Sequence, residues 1–323
     1  MSKYLVTGGA GFIGSSTTEK LVSLGHEVKV LDNLSSGCFE NIAALQDRIT
    51  FTHGDLSDFG IVRDAVDGVE YIIHMAALPS VPLSIQDPIK CNENSVTTSV
   101  NLFKAAVDAK SVRRIVQASS SAVYGDSPIL PKKEKMLPAP LSPYAAAKLA
   151  QEYYAEAFSR VYGLEMVSLR YFNVFGPKQD IESAYSAVIP RFILAMLKGE
   201  QPAIFGDGLT SRDFVYIQDV VDANILACSV GLNRKHEVFN IGCGKSITLH
   251  HLVDSINTIL GTGIVPKYEN RKVGDILSSQ ADISKARNEL GFCPKISIEE
   301  GLEKLIEYLK CSLQIHRRGE ENE

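Results

Sequence analysis

Tyr144 and Lys148 stand four residues apart in Ser142-Pro143-Tyr144-Ala145-Ala146-Ala147-Lys148. On a helix that spacing puts a phenol and an ammonium on one face. Ser142 as N-cap and Pro143 at the first helical position start such a helix there. A lysine cation near a phenol, with a second cation of a bound cofactor beyond it, lowers the phenol pKa and makes tyrosinate a usable general base. The pair is also common on ordinary amphipathic helices, so alone it reads sooner as two surface residues. Ser119-Ser120-Ser121-Ala122-Val123-Tyr124-Gly125 strengthens it. These small hydroxyl residues follow a strand-like run, Arg114–Ala118, and α/β sheets bind ligands at the carboxyl ends of their strands.

A second constellation opens the chain: Thr7-Gly8-Gly9-Ala10-Gly11-Phe12-Ile13-Gly14 lies between a short β-branched run and an amphipathic stretch. Gly8, Gly11 and Gly14 give a variant of the dinucleotide fingerprint. Glycine permits the tight turn, lets main-chain N–H groups approach a pyrophosphate and allows close helix–strand packing. The N-terminus of the helix that follows turns its positive end to the phosphates, with Phe12 and Ile13 beside them. Asp32 ends the second strand 18 residues after Gly14, where an acid bonds an adenosine ribose. The following Asn33, Leu34, Ser35, Ser36 and Gly37 include no Lys or Arg for a 2′-phosphate, which favours NAD over NADP. Asp55, beside Leu56 after a third strand-like run, meets the adenine or caps a helix.

The elements that must hold these groups alternate. Strand-like runs at Lys3–Thr7, Glu27–Leu31, Ile49–Thr52, Glu70–Met75, Arg114–Ala118 and Glu165–Tyr171 are separated by helical patterns such as Gly14–Leu24 and Ser95–Ala109. This implies an α/β fold of βαβ units, a Rossmann-type doubly wound parallel sheet covered on both faces. After Asn173 the rhythm shortens, with helices at Ile189–Lys198 and Leu249–Leu260. The expected division is a dinucleotide-binding domain over 1–173, to which some later segments return, and a smaller α/β substrate domain over 174–323. Asp126–Tyr144, with five prolines and three lysines, is expected as a mobile loop and Lys132-Lys133-Glu134-Lys135 as its solvated face.

Of the 323 residues, 45% are apolar, and 33 basic against 38 acidic residues leave a net charge of −5. That excludes the strongly basic footprint of a nucleic-acid binder. No run approaches the ~18 apolar residues of a membrane span. Met1-Ser2-Lys3 leads straight into a strand without signal-peptide features, so a cytoplasmic setting is expected. The cysteines at 38, 91, 228, 243, 293 and 311 form no C-x-x-C pair. They read as packing residues in a reducing compartment, with no disulfide or metal site expected. His74 reads as a core histidine.

In their order and separations, these motifs make the sequence resemble the extended short-chain dehydrogenase/reductase family, and within it the nucleotide-sugar 4-epimerases. The resemblance runs to about Leu309 and includes T-G-G-A-G-F-I-G (7–14), D-N-L-S-S-G (32–37), H-M-A-A (74–77), S-S-S-A-V-Y-G (119–125) and S-P-Y-A-A-A-K (142–148). Further on come L-R-Y-F-N-V-F-G-P (169–177), G-D-G-L-T-S-R-D-F-V-Y-I-Q-D (206–219) and A-D-I-S-K-A (281–286). It implies Ser120, Tyr144 and Lys148 as the catalytic triad, with Ser119 and Ser121 as neighbours open to confusion with Ser120. Met75, Ala76, Ala77, Asn94 and Phe172 would touch NAD. Asn173 and Arg212 would meet the diphosphate, Asp275 the uridine ribose, and Ala203, Ile204 and Phe205 the uracil. The family's second phosphate-binding arginine aligns with Lys272, beside Arg271, and either would serve. Pairing of the 95–109 and 144–162 helices as a four-helix bundle would make a homodimer.

For the reaction, the resemblance implies 4-epimerisation of a UDP-hexose through a transient 4-keto sugar that turns about its diphosphate. Dehydratases of the family need an ionisable pair where this chain has Ser121 and Ala122, which disfavours dehydration. Ser279 aligns with the position beside the sugar's 2-substituent, and its small side chain leaves room for an acetamido group. Ala187, Val188 and Arg191, in the run 184–191, resemble the subgroup acting on UDP-N-acetylglucosamine and UDP-N-acetylgalactosamine. The alternatives are another enzyme of the family, such as a UDP-glucuronate decarboxylase, or a non-catalytic NAD-binding protein.

Overall fold

A computed structural model describes residues 1–78, 80–180, 187–270 and 277–320. In chain order the first lobe runs β1 (Lys3–Thr7), α1 (Phe12–Ser23), β2 (Glu27–Asp32), β3 (Ile49–His53), α2 (Phe59–Val66), β4 (Tyr71–His74), α3 (Val81–Gln86), α4 (Pro88–Asn92), α5 (Thr98–Ala109), β5 (Arg114–Ser120), α6 (Pro143–Tyr162) and β6 (Glu165–Tyr171). There follow β7 (Asn173–Phe175), α7 (Val188–Leu197), β8 (Ala203–Phe205), β9 (Ser211–Arg212), β10 (Phe214–Tyr216), α8 (Ile217–Ser229), β11 (His236–Ile241), β12 (Ile247–Thr248), α9 (Leu249–Leu260), β13 (Lys267–Glu269) and α10 (Ile298–Glu320).

Neighbouring apolar residues on a strand point to opposite faces, and here both faces are covered. Val6, Ile73, Val116 and Val167 pack with α1 and α8 through Leu21, Val220 and Ala227. Leu5, Ile72, Ile115 and Met166 pack on the other face with α2, α5 and α6 through Val62, Phe103 and Ala155. The sheet is parallel throughout, in the order β3-β2-β1-β4-β5-β6-β11. This is the doubly wound arrangement expected, with the order reversing at β1/β4, where such sheets open a crevice. Its seventh strand, β11, comes from beyond residue 173 and pairs with β6 from His236↔Met166 to Ile241↔Tyr171.

A second core holds the smaller lobe, with Phe192 and Ile193 of α7, Leu252 and Ile256 of α9, and Leu302 and Leu305 of α10 around Phe214 and Tyr216. Its strands are short pairs, β10 with β7, β12 with β9 and β13 with β8.

Two expectations need correction. Asp126–Leu141 is irregular, as its prolines require, yet it is stitched down: Ala139 N–H donates to Val123 O and Lys132 N–H to Gln280 O. Lys132 is 2% exposed rather than solvated, because its partners come from residues far along the chain. Among the cysteines, Cys91 and Cys228 are buried and Cys243 half-buried, but Cys38, Cys293 and Cys311 are exposed and do no packing. No helix among the described residues is long and apolar enough to cross a membrane.

Candidate active site

α6 starts where the sequence placed it. Ser142 Oγ accepts from Ala145 N–H at 3.2 Å and Pro143 occupies the first turn. A cap from outside the helix was not foreseen: the buried Ser84 of α3 accepts Tyr144 N–H at 3.1 Å. Together these fix the helix start, and with it the phenol. A cleft of about 210 Å³ gathers Ser120, Ser121, Ala122, Tyr144, Phe172, Asn173, Arg212 and Ser279 on its wall, along with Val81, Lys132 and Ser278.

Strand alternation separates the three serines. Ser119 turns inward, 3% exposed, and donates to Glu152 Oε1 at 2.5 Å. Ser120 and Ser121 line the cleft. Ser120 Oγ accepts Ala122 N–H at 3.1 Å. Ser120 and Tyr144 line the same cleft, near enough for Ser120 to act on the phenol. Lys148, 4% exposed, donates to Ala118 O at 2.8 Å and stands 6.0 Å from the centre of the Tyr144 ring.

The electrostatics of the chain alone carry only part of that expectation, which includes a cofactor cation. Burial raises the Tyr144 phenol above its ordinary value, against the Ser120 hydrogen bond that pulls it down. Burial also lowers Lys148 to about 8. In the chain alone, desolvation therefore disfavours both charged forms, and Lys148 does not drive the phenol to ionise. His74 is a core histidine, 2% exposed and pushed to about 3 by burial and then by Lys148. Ser99 donates its proton to Ser95 O, so His74 Nε2 donates to Ser99 Oγ and Nδ1 accepts from Thr7 Oγ1 at 2.7 Å. One turn beyond Lys148 on α6, Glu152 pairs with Arg170 at 2.7 Å, both 4% exposed at the side chain, and ties α6 to β5 and β6.

At the other end of the crevice the main chain does the work. Gly8 has φ +67°, and a Cβ there would stand 2.7 Å from Ala76 N. A Cβ on Gly14 would stand 2.0 Å from Gly8 O. Gly11 is the N-cap of α1 and no side chain caps that helix, so the N–H groups of Phe12 and Ile13 are left for an anion. Asp32 accepts from Ala10 N–H at 2.9 Å and Leu34 N–H at 2.8 Å, which fixes its carboxylate beside the turn. The 33–37 segment leads to Cys38, whose N–H donates to Ala10 O. Asn33 Nδ2 donates to Asp55 Oδ2 at 2.6 Å and its Oδ1 accepts Ser35 N–H, so these residues form one rim. Burial would raise Asp55, but the Ser57 N–H and Asn33 amide outweigh it and hold the carboxyl low. Leu56 is buried in the core under this rim. Met75 to Ala77 follow β4, with Met75 N–H donating to Thr7 O, and Asn94 sits in a π-turn before α5. Gly-rich turn, uncapped helix and an acid held at the end of β2 fit a dinucleotide.

Asn173 Nδ2 donates to Ser279 Oγ at 3.3 Å and Asp213 O at 3.2 Å, so these positions meet in the cleft. Arg212 Nη1 donates to Leu277 O at 3.3 Å and Ser211 O at 3.0 Å. Ala203, Ile204 and Phe205 form β8, which pairs with β13; β8 is not among the described residues lining the cleft. Nor are Ala187, Val188 and Arg191 at the start of α7. Asp275, Arg271, Lys272 and residues 184–186 lie outside the described residues. Asp213, next to Arg212, went unassigned in the sequence. It is fully buried and accepts N–H groups of Cys243, Gly244 and Ala281 at 2.7–3.0 Å, joining three segments under the cleft. Among the described residues no cluster of His, Cys, Asp or Glu is placed to hold a metal.

Known proteins share this arrangement. The profile of the NAD-dependent epimerase/dehydratase family matches residues 4–242. A UDP-glucose 4-epimerase of Mycolicibacterium smegmatis is 36% identical over 310 residues, 95% of this chain and 98% of its own. The structure of a UDP-N-acetylglucosamine 4-epimerase from Methanobrevibacter ruminantium M1, in complex with UDP-N-acetylmuramic acid, is 40% identical with a TM-score of 0.92, covering 96% of this chain and 99% of that one. That of the Thermotoga maritima UDP-glucose 4-epimerase with UDP-glucose is 39% identical, with a TM-score of 0.91 and the same coverage. The chain belongs to the NAD-dependent epimerase/dehydratase family.

Proposed function

We propose that this chain interconverts the C4 epimers of a UDP-hexose, with UDP-N-acetylglucosamine and UDP-N-acetylgalactosamine preferred over UDP-glucose and UDP-galactose. The observation that carries the reading is that Ser120, Tyr144, Asn173, Arg212 and Ser279 share one cleft. Tyr144 takes the proton of the sugar 4-hydroxyl, and Ser120, beside it on the cleft wall, bonds the developing carbonyl oxygen. NAD, when bound, supplies the hydride acceptor and donor at C4 and a positive charge beside the phenol. Lys148, tied to Ala118 O, holds its ammonium under Tyr144. Arg212 grips the diphosphate while the 4-keto ring turns, so the sugar itself must be held loosely. Ser121 and Ala122 line the cleft, and neither ionises to assist elimination of water. The exposed Tyr153, Tyr154, Val161 and Tyr162 of α6 support a homodimer built on α5 and α6.

Purified protein without added cofactor, given UDP-N-acetylglucosamine and UDP-glucose separately, is expected to form both 4-epimers with no net NADH, the first faster. The same preparation is expected to sediment as a dimer. Ser279→Tyr is expected to slow the N-acetylated substrate about tenfold more than the plain one. Equal losses would remove Ser279 as a size gate. If neither sugar reacted even with NAD added, the epimerase reading would yield to decarboxylation or another sugar.

A further inference from the structure

One buried hydroxyl joins the wall of the cleft to the main chain of the residue that carries the phenol. Ser84 of α3 is fully buried. Its Oγ donates to Val81 O at 2.7 Å and accepts Tyr144 N–H at 3.1 Å. Val81 lines the same cleft as Tyr144. The short helix between is pinned at both ends. Ser80 Oγ accepts Leu83 N–H at 3.3 Å at its start, and Asp87 at its end accepts Lys90 N–H at 2.9 Å and so begins α4.

The bond matters because of where it falls on α6. The first N–H groups of a helix have no partner inside it. At the start of α6, Pro143 has no N–H, Ala145 N–H goes to Ser142 Oγ and Ala146 N–H to Ser142 O. Tyr144 N–H is the remaining donor of that turn, and its acceptor lies 60 residues away on another helix. The residue that carries the phenol is thus the one whose main chain is anchored from outside α6. Without the Ser84 hydroxyl that N–H is buried and unpaired, and the first turn must shift to satisfy it.

We propose that Ser84 is a positioning residue for the proton transfer. Through Val81 O and Tyr144 N–H it makes the α3 wall of the cleft and the phenol on α6 one unit. The wall that a sugar meets and the base that takes its proton then keep a fixed spacing, and the phenol stays in reach of Ser120. The inference rests on the reading of Tyr144 as the base.

Ser84→Ala in the holoenzyme tests this by removing one oxygen from a helix that alanine suits. The rate kcat is expected to fall about 10–10²-fold, as a small misplacement of a reacting group costs. KM for the UDP-sugar and the retained NAD are expected to stay within about twofold. Ser84→Thr keeps the hydroxyl and is expected to recover most of the rate. In a Tyr144→Phe background Ser84→Ala is expected to cost no further rate, because the group it positions is gone. The chain has no tryptophan, so ultraviolet difference spectra, with those of Tyr144→Phe subtracted, read the Tyr144 phenolate. The ionisable groups beside this phenol are Lys148 of α6, 6.0 Å from the ring centre, and Cys91 of α4. Ser120 holds the phenol down, so its loosening in Ser84→Ala is expected to move the ionisation to higher pH. A rate near wild type in Ser84→Ala, or additive losses in the double variant, would overturn the proposal. Rate, KM, NAD content and melting temperature falling together would also overturn it and leave Ser84 a structural cap. The titration needs no turnover. A wild type that epimerises no sugar would count against the epimerase reading, while an unmoved phenol midpoint would count against Ser84.

Discussion

At the glycine turn the ligand-facing groups are main-chain N–H groups and one carboxylate, all within a single βαβ unit. In the cleft beside Tyr144 the wall is instead side chains, among them Asn173, Arg212 and Ser279, each from a different short segment. The first region leaves little to vary, because its geometry is the chain's own turn. The second is assembled by buried polar bonds such as those of Asp213, and each of its positions can change without disturbing the sheet. This contrast suits one fixed cofactor and a family of sugars.

Tyr144→Phe should separate chemistry from both ends, since it removes one hydroxyl and leaves the α6 caps in place. Turnover is expected to fall about 10²–10⁴-fold, with bound NAD and the melting temperature unchanged. A rate within a few-fold of wild type would assign the proton to another group. Gly14→Ala strikes the cofactor end, where a Cβ 2.0 Å from Gly8 O has only backbone to displace. The purified variant is expected to lose most of its retained NAD while UDP still binds; full NAD occupancy would mean the turn is softer than its geometry.

The smallest effect is expected at Asp213→Asn. The substituted amide keeps one oxygen but turns its NH2 toward at least one of the three N–H donors, costing about 1–3 kcal/mol, with UDP-sugar affinity reduced and NAD content intact. Burial raises Asp213 from 3.8 to about 6, so the folded chain holds a proton there more firmly than the unfolded one. The stability it contributes is fully present below about pH 4 and is lost as pH rises through about 6. Thermal melts across that range should show the decline in the wild type but not in Asp213→Asn. Parallel curves would remove Asp213 as its source.

The same contrast explains what was legible in the sequence. Residues 3–7 and 165–171 are strands as read, and Ser142-Pro143 starts α6, because runs buried on both faces and helix caps are local signals. Lys132 reads as part of a charge run because its burial depends on Asn240, Gln280 and Asp282, which no local pattern announces. Asp213 lies inside a quoted motif, yet its partners at 243, 244 and 281 lie beyond any window. Ser84 capping Tyr144 is a contact across sixty residues of chain. The Tyr144 and Lys148 spacing was readable, but the direction in which burial moves both groups was not.

The return of β11 to the edge of β6 also bears on how the protein is made. A nascent chain that has emerged only as far as β6 shows an open parallel edge with no partner. It must spin out β7 to α8 before the seventh strand arrives, and Ser279 of the cleft follows later still. Sheet completion is thus a late, long-range event in synthesis, and completion of the cleft a later one. Until then the exposed edge is the surface on which chaperones or other copies of the chain would act.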